Sequence, residues 1–215
     1  NIIFDSKQIK EIKDPQSALR VVLRENHIES KHVCNFNVVC YMVYLIQKGK
    51  NPNALALLKN FLPEFCDMGF NVDTVLTGIW GSNFERDGTL LQVVSRNDMF
   101  DVAKVLLENG ADPLYKANCY TEKTQKQLTL LTMVMCMPSS VEIKELLFTH
   151  AVKLKLKDLS VDYVYHMPLI FEKCKEFVIS FSTAQFQGKF YNISNYVLVG
   201  YIEDKLEKIV ESIQK

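Results

Sequence analysis

Around residues 89 to 111 the apolar positions come in two short bursts divided by polar residues: Leu90, Leu91 and Val94, then Val102, Val105, Leu106 and Leu107. Spacings of three and four place each burst on one side of a helix, so the pattern predicts two short helices facing each other. Leu91 and Val94 meet the second helix, and Val102, Val105 and Leu106 bury the other side of that contact. The punctuation agrees. Thr89 stands where its hydroxyl can cap the first helix, and Gly110 follows the second, where a left-handed residue ends a helix at little conformational cost. Asp112 and Pro113 then turn the chain outward.

The pattern occurs again 40 residues later. At that offset Thr89, Leu90 and Leu91 align with Thr129, Leu130 and Leu131, and Val94 with Val134. Lys104, Leu106, Leu107 and Ala111 align with Lys144, Leu146, Leu147 and Ala151. These matches fall at the joints of a helix-turn-helix, as they do in repeat architectures. Upstream, "LPEFCDMGFNVDTVL" at 62–76 has the same cadence of apolar helix, Gly69 and then "NVD". Its first helix is expected within 29–50, ending near Gly49, with Asn51 and Pro52 opening the next and Pro63 interrupting it or beginning a fresh turn. Asp14 and Pro15 open an amphipathic helix over 15–26 that is placed to cap the stack. From 160 onward no repeat signature is visible, but 162–181 and 192–214 carry helical apolar spacing. Terminal units of a repeat array are atypical because one face meets water.

On these residues the chain resembles the ankyrin repeat, a unit of about 33 residues built as capped helix, turn, second helix and β-hairpin finger. It departs from that pattern at several positions. Leu90 and Leu130 stand in place of Pro, Gln92 and Thr132 in place of His, and His150 in place of the terminal Gly, while Gly88 lies one residue nearer the cap than in the family. The longer period puts about seven extra residues into "NCYTEKTQKQ" at 118–127, an enlarged finger. The resemblance implies an all-α solenoid of degenerate helix-turn-helix units with hairpin fingers and non-repeat helical caps. Its expected boundaries are a capping region at 1–31, repeats at 32–159 and a C-terminal helical cap at 160–215. It further implies a protein-binding module without catalysis or cofactor of its own, acting through the fingers and the first-helix face. The positions it nominates are Glu85, Arg86, Arg96, Asn97, Tyr115, Tyr120, Lys123, Gln125 and Lys126, with Cys136 and Met137 at variable positions of the second copy. Trp80 and Phe84 either join that surface or fold back to plug a loop. Two other roles stay open: the targeting half of a larger enzyme, or an adaptor whose C-terminal helices dock a second subunit.

Composition narrows the partner. Lys and Arg together equal Asp and Glu at 25 each, so no summed positive field selects nucleic acid or an anionic membrane. Lys greatly outnumbers Arg and Asn, Ile, Phe and Tyr are plentiful, as in AT-rich genomes; degenerate ankyrin units in such sequences look like host-directed proteins of intracellular bacteria or large DNA viruses. The six cysteines lie apart with no C-x-x-C pair and read as reduced thiols of a cytoplasmic protein, in the host cytosol if it is a secreted effector. Apolar runs such as 38–46 fall far short of the roughly 20 residues of a membrane span. The chain opens at Asn1 without a basic stretch leading into an apolar one, so no secretory leader is expected and the sequence reads as an excised fragment. His27, His32 and Cys34 cluster but lack the second pair a structural zinc site requires. His166 and Cys174, eight apart on a helical pattern, lie about two turns from each other, too far to act as base and nucleophile.

Overall fold

The computed structural model describes residues 39–40, 42–43, 46–47, 49, 53–76, 88–120, 127–189 and 195–214. Most of these are helical. After helical residues between 39 and 47 come α1 (Ala54–Asp67), strand β1 (Val75–Leu76), strand β2 (Gly88–Thr89), α2 (Leu90–Arg96) and α3 (Phe100–Glu108). Strands β3 (Lys116–Tyr120) and β4 (Gln127–Thr129) lead to α4 (Leu130–Cys136) and α5 (Val141–Asp158). A 3-10 turn (Val164–His166), α6 (Met167–Phe186) and α7 (Asn195–Gln214) complete the described chain. The strands form two antiparallel pairs, β1 with β2 and β3 with β4. The helix expected at 15–26 lies outside the described residues.

The 40-residue offset is a structural period. Thr89 Oγ1 accepts the Gln92 N–H at 3.3 Å and Thr129 Oγ1 accepts the Thr132 N–H at 3.2 Å, so each hydroxyl satisfies a donor that the first turn of its helix leaves unpaired. Each pair folds on itself, α2 on α3 and α4 on α5; between pairs α2 packs on α4, while α1, α3 and α5 form a row. Hydrogen bonds between successive units keep this spacing. Asp73 Oδ1 accepts the Asp112 N–H at 3.1 Å, 39 residues on, and Asp98 Oδ1 accepts the Ser140 N–H at 2.8 Å, 42 residues on. Buried Gln92 reaches the Met133 sulfur at 3.4 Å, 41 residues on.

The ends of α1, α2, α3 and α5 follow one rule. A residue of positive φ stands just past the end, and the N–H after it donates to the carbonyl five residues back. Gly69 (φ 89°), Asp98 (51°), Gly110 (90°) and Ser160 (56°) hold the left-handed position. The corresponding bonds run from Phe70 to Phe65 at 2.8 Å, Met99 to Val94 at 3.0 Å, Ala111 to Leu106 at 3.0 Å and Val161 to Leu156 at 2.9 Å.

Two expectations are corrected. Pro63 neither breaks nor restarts a helix: α1 runs through it, because buried Phe61, Leu62 and Phe65 hold the helix to the core while Pro63 faces out. His150 does not mark the end of the second copy. Helix α5 has 18 residues against nine in α3, since Ala151, Val152 and Leu156 continue its buried stripe, and Ser160 takes the left-handed position instead.

Beyond 160 the order of stacking reverses. A continued array would set the first helix of the next pair on α4, yet here α6 packs on α5 and α7 returns to α4 and α5. Phe148 of α5 and Phe177 of α6 have ring centroids 4.9 Å apart, with Phe181 of α6 and Tyr201 of α7 close to Phe177 at 5.8 and 6.0 Å. One core therefore extends from Val39 to Ile213.

Two glycines separate conformation from space. An added Cβ meets nothing within 4 Å at Gly110 or Gly200, but Gly110 has φ 90° whereas Gly200 lies inside α7. Gly110→Val is expected to lower stability by roughly 1–2 kcal/mol and Gly200→Ala to raise it by about 0.5–1 kcal/mol. Urea unfolding midpoints of the two variants should move in opposite directions from the parent.

Candidate protein-interaction surface

The β3–β4 hairpin is held at its base by the start of α4. The Leu130 N–H donates to the Tyr115 carbonyl at 2.9 Å and the Leu131 N–H to the Pro113 carbonyl at 2.8 Å. Two donors that the first turn of α4 cannot use internally thereby fix where the hairpin leaves the stack. Lys116 pairs with Thr129 and Tyr120 with Gln127, with an irregularity in register between them. Tyr115 is half-buried beside that base. The backbone of Tyr120 closes the described part of the hairpin, while Lys123, Gln125 and Lys126 fall between β3 and β4, outside the described residues. Glu85 and Arg86, with Trp80 and Phe84, likewise fall outside them, between β1 and β2.

The first-helix face is mostly closed. Leu90 through Ser95 are all buried, so α2 offers solvent only Arg96 at its end and Asn97 just past it. Asn97 is already engaged: its Nδ2 donates to the Val93 carbonyl at 2.8 Å, and its Oδ1 accepts from Gln47 at 3.3 Å. It acts as a cap and a tie to the preceding helical residues. Arg96 is exposed and makes no ion pair among the described residues.

Two clefts flank the stack. One, of about 650 Å³, lies between the ends of α3 and α5 and carries Glu108, Asp112, His150, Lys153, Lys157 and Asp158. Burial raises the Asp112 carboxyl above its ordinary range, opposed by the Leu114 N–H, with the Asp158 charge adding to the rise. Burial also lowers the His150 imidazole, whose Nδ1 lies 3.0 Å from the Leu146 carbonyl. The other, of about 640 Å³, lies between the α4–α5 turn and the end of α6.

In that second cleft stands a group that sequence alignment disguised. Lys104 and Lys144 are equivalent in the repeat, but Lys104 is exposed and Lys144 is only 2 % exposed. Its Nζ donates to Gln185 Oε1 at 2.8 Å, and Gln185 Nε2 donates to the Cys136 carbonyl at 2.9 Å. Burial lowers the Lys144 amine below the usual lysine value; Cys136 and Asp98 act in the opposite sense through space. One signal was available. Lys144 precedes Leu147, Phe148 and Ala151 at helical spacing, on the apolar stripe of α5.

Two thiols of the described residues are buried deeply enough to be quiet. Burial pushes Cys40 up to about 12 and Cys174 up to about 11, which disfavours the thiolate needed for nucleophilic attack. Among the described residues no three His, Cys, Asp or Glu side chains are grouped to hold a metal, and no helix is long and apolar enough to cross a membrane. His27, His32 and Cys34 lie outside those residues. The chain matches no known protein family, no curated protein and no solved structure.

A buried ammonium without a carboxylate partner opposes folding. Lys144→Met keeps the length and removes the charge, so a gain on the order of 1 kcal/mol is expected near neutral pH. The folded amine has its pKa below the unfolded value of 10.5, so the unfolded chain binds more protons between the two and parent stability rises with pH across that window. The advantage of Lys144→Met should therefore be largest below the folded pKa and shrink towards pH 10.5. Paired urea titrations of parent and variant at pH 7 and pH 10 measure it, and an equal difference at both would contradict the assignment.

Proposed function

We propose that the chain is a degenerate ankyrin-like module that recruits a protein partner, one of the host if the chain is a host-directed effector, through its hairpin fingers and the ends of its first helices. The observation that carries this reading is the clamped β3–β4 hairpin, raised from a stack of paired helices by bonds from Leu130 and Leu131. Loops held on a rigid scaffold are where recognition concentrates, because the scaffold absorbs the ordering entropy in advance. Tyr115 and Tyr120 belong to this hairpin and its base, and Lys123, Gln125 and Lys126 to its connecting segment. Arg96 is the exposed residue that α2 contributes. The binding activity is non-catalytic and needs no cofactor.

A second reading draws on the C-terminal helices. Tyr165 is 85 % exposed and Phe186 94 %, with Val164, Phe171, Val197 and Tyr201 also open to solvent. Large apolar side chains exposed along α6, α7 and the turn before them favour an adaptor that docks a second subunit on these helices.

Replacing residues 118–127 by a two-residue turn is expected to preserve helical circular dichroism and cooperative unfolding while weakening the captured partner at least about tenfold, or about 1.4 kcal/mol. Affinity capture from a cell extract with the full chain, followed by titration of the isolated partner against both forms, measures this. Equal affinity would remove the hairpin from the interface. If Tyr165→Ser with Phe186→Ser releases a different protein from the captured set, the adaptor reading gains its second subunit.

A further inference from the structure

The cleft of about 640 Å³ at the α4–α5 turn has the size and lining of a small-molecule site: mostly apolar, with a few converging polar groups. Lys144 lines it and is only 2 % exposed. An ammonium has three N–H donors, and the bond to Gln185 uses one. The other two have no acceptor among the described residues, and no carboxylate forms an ion pair with the amine. Asp98, whose charge acts on Lys144 through space, accepts the Ser140 N–H on Oδ1.

Ser182 supplies a second, independent observation. Its Oγ is buried, has no hydrogen-bond partner among the described residues, and belongs to the lining of the same cleft. Buried hydroxyls are normally satisfied, so an orphan beside an unneutralised cation marks a place for an acceptor. The cleft also borders the N-terminus of the 18-residue α5 at Ser140 and Val141, where the helix dipole favours negative charge. Val141, Ile179 and Phe186 give the wall its hydrocarbon, the last two open to solvent, with Ser139 and Thr183 among them.

We propose that this cleft binds a small amphipathic monocarboxylate, its anionic head received by Lys144 and Ser182 and its aliphatic tail laid along Val141, Ile179 and Phe186. Two lysine donors and one hydroxyl match the two oxygens of a carboxylate. There is no Arg in its lining, the side chain whose planar fork best reads a phosphate. The bound anion would supply the counter-ion that the fold itself withholds from Lys144.

Octanoate and octan-1-ol, titrated calorimetrically into the full chain at pH 7, test the proposal. Octanoate is expected to bind at one site at least tenfold more tightly than the alcohol. Lys144→Met should abolish that preference and leave octanol unchanged, and Ser182→Ala should weaken octanoate several-fold. In the parent labelled with ¹³C-lysine, the Lys144 ε-carbon resonance should shift saturably with octanoate and titrate at higher pH when it is bound. That readout stands even if a substitution impairs folding. Equal affinity for acid and alcohol, no saturable binding, or octanoate binding undiminished by Lys144→Met with a static Lys144 resonance would each overturn it.

Discussion

Helix α2 has seven residues and α3 nine, lengths at which an isolated helix does not persist in water. Their stability comes from the contact between them and from the units on either side, and this dependence organises everything else in the molecule. Leu91, Val94, Leu106 and Leu131 are almost completely buried because each pair of helices is covered by the next. A unit that cannot bury its own apolar surface has to be stacked, and stacking needs an equal spacing along the chain. Ties 39, 41 and 42 residues apart express that spacing as hydrogen bonds.

Two of these three ties use carboxylates in place of a purely apolar joint. Asp73 is half-buried, and burial raises its carboxyl above the ordinary range even though the Asp112 N–H it accepts favours the charged form. Asp98 accepts a left-handed backbone, unusual outside Gly, and from there reaches the Ser140 N–H at the turn of the next unit. The strain is local, while the bond it permits joins two units. Turn chemistry and stacking are thus carried by the same residue.

The reversed C-terminal pair closes the array and creates its least economical site. With α6 lying on α5, Gln185 and Ser182 come over Lys144, and a lysine that would otherwise project into water like Lys104 becomes enclosed. The closure also leaves Tyr165 and Phe186 exposed. Recognition by the hairpin and ligand binding in the cleft would then sit on separate parts of one continuous core.

The features legible in the sequence were those with local causes. A Thr before an apolar run is a cap wherever it occurs, Gly110 ends a helix because its own backbone tolerates φ of 90°, and the spacing of Leu and Val repeats 40 residues on regardless of what surrounds it. The helical character followed from these. Pro63 and His150 were misread because a buried stripe outweighs a local stop signal, and burial is supplied by other parts of the chain. The tie from Gln47 to Asn97 was hidden because its partner lies 50 residues away. Lys104 and Lys144 make the division plainest. They occupy the same place in the repeat, and only the packing of α6 against α5 decides that one is solvated and the other buried, because a charge is worth what its surroundings make it.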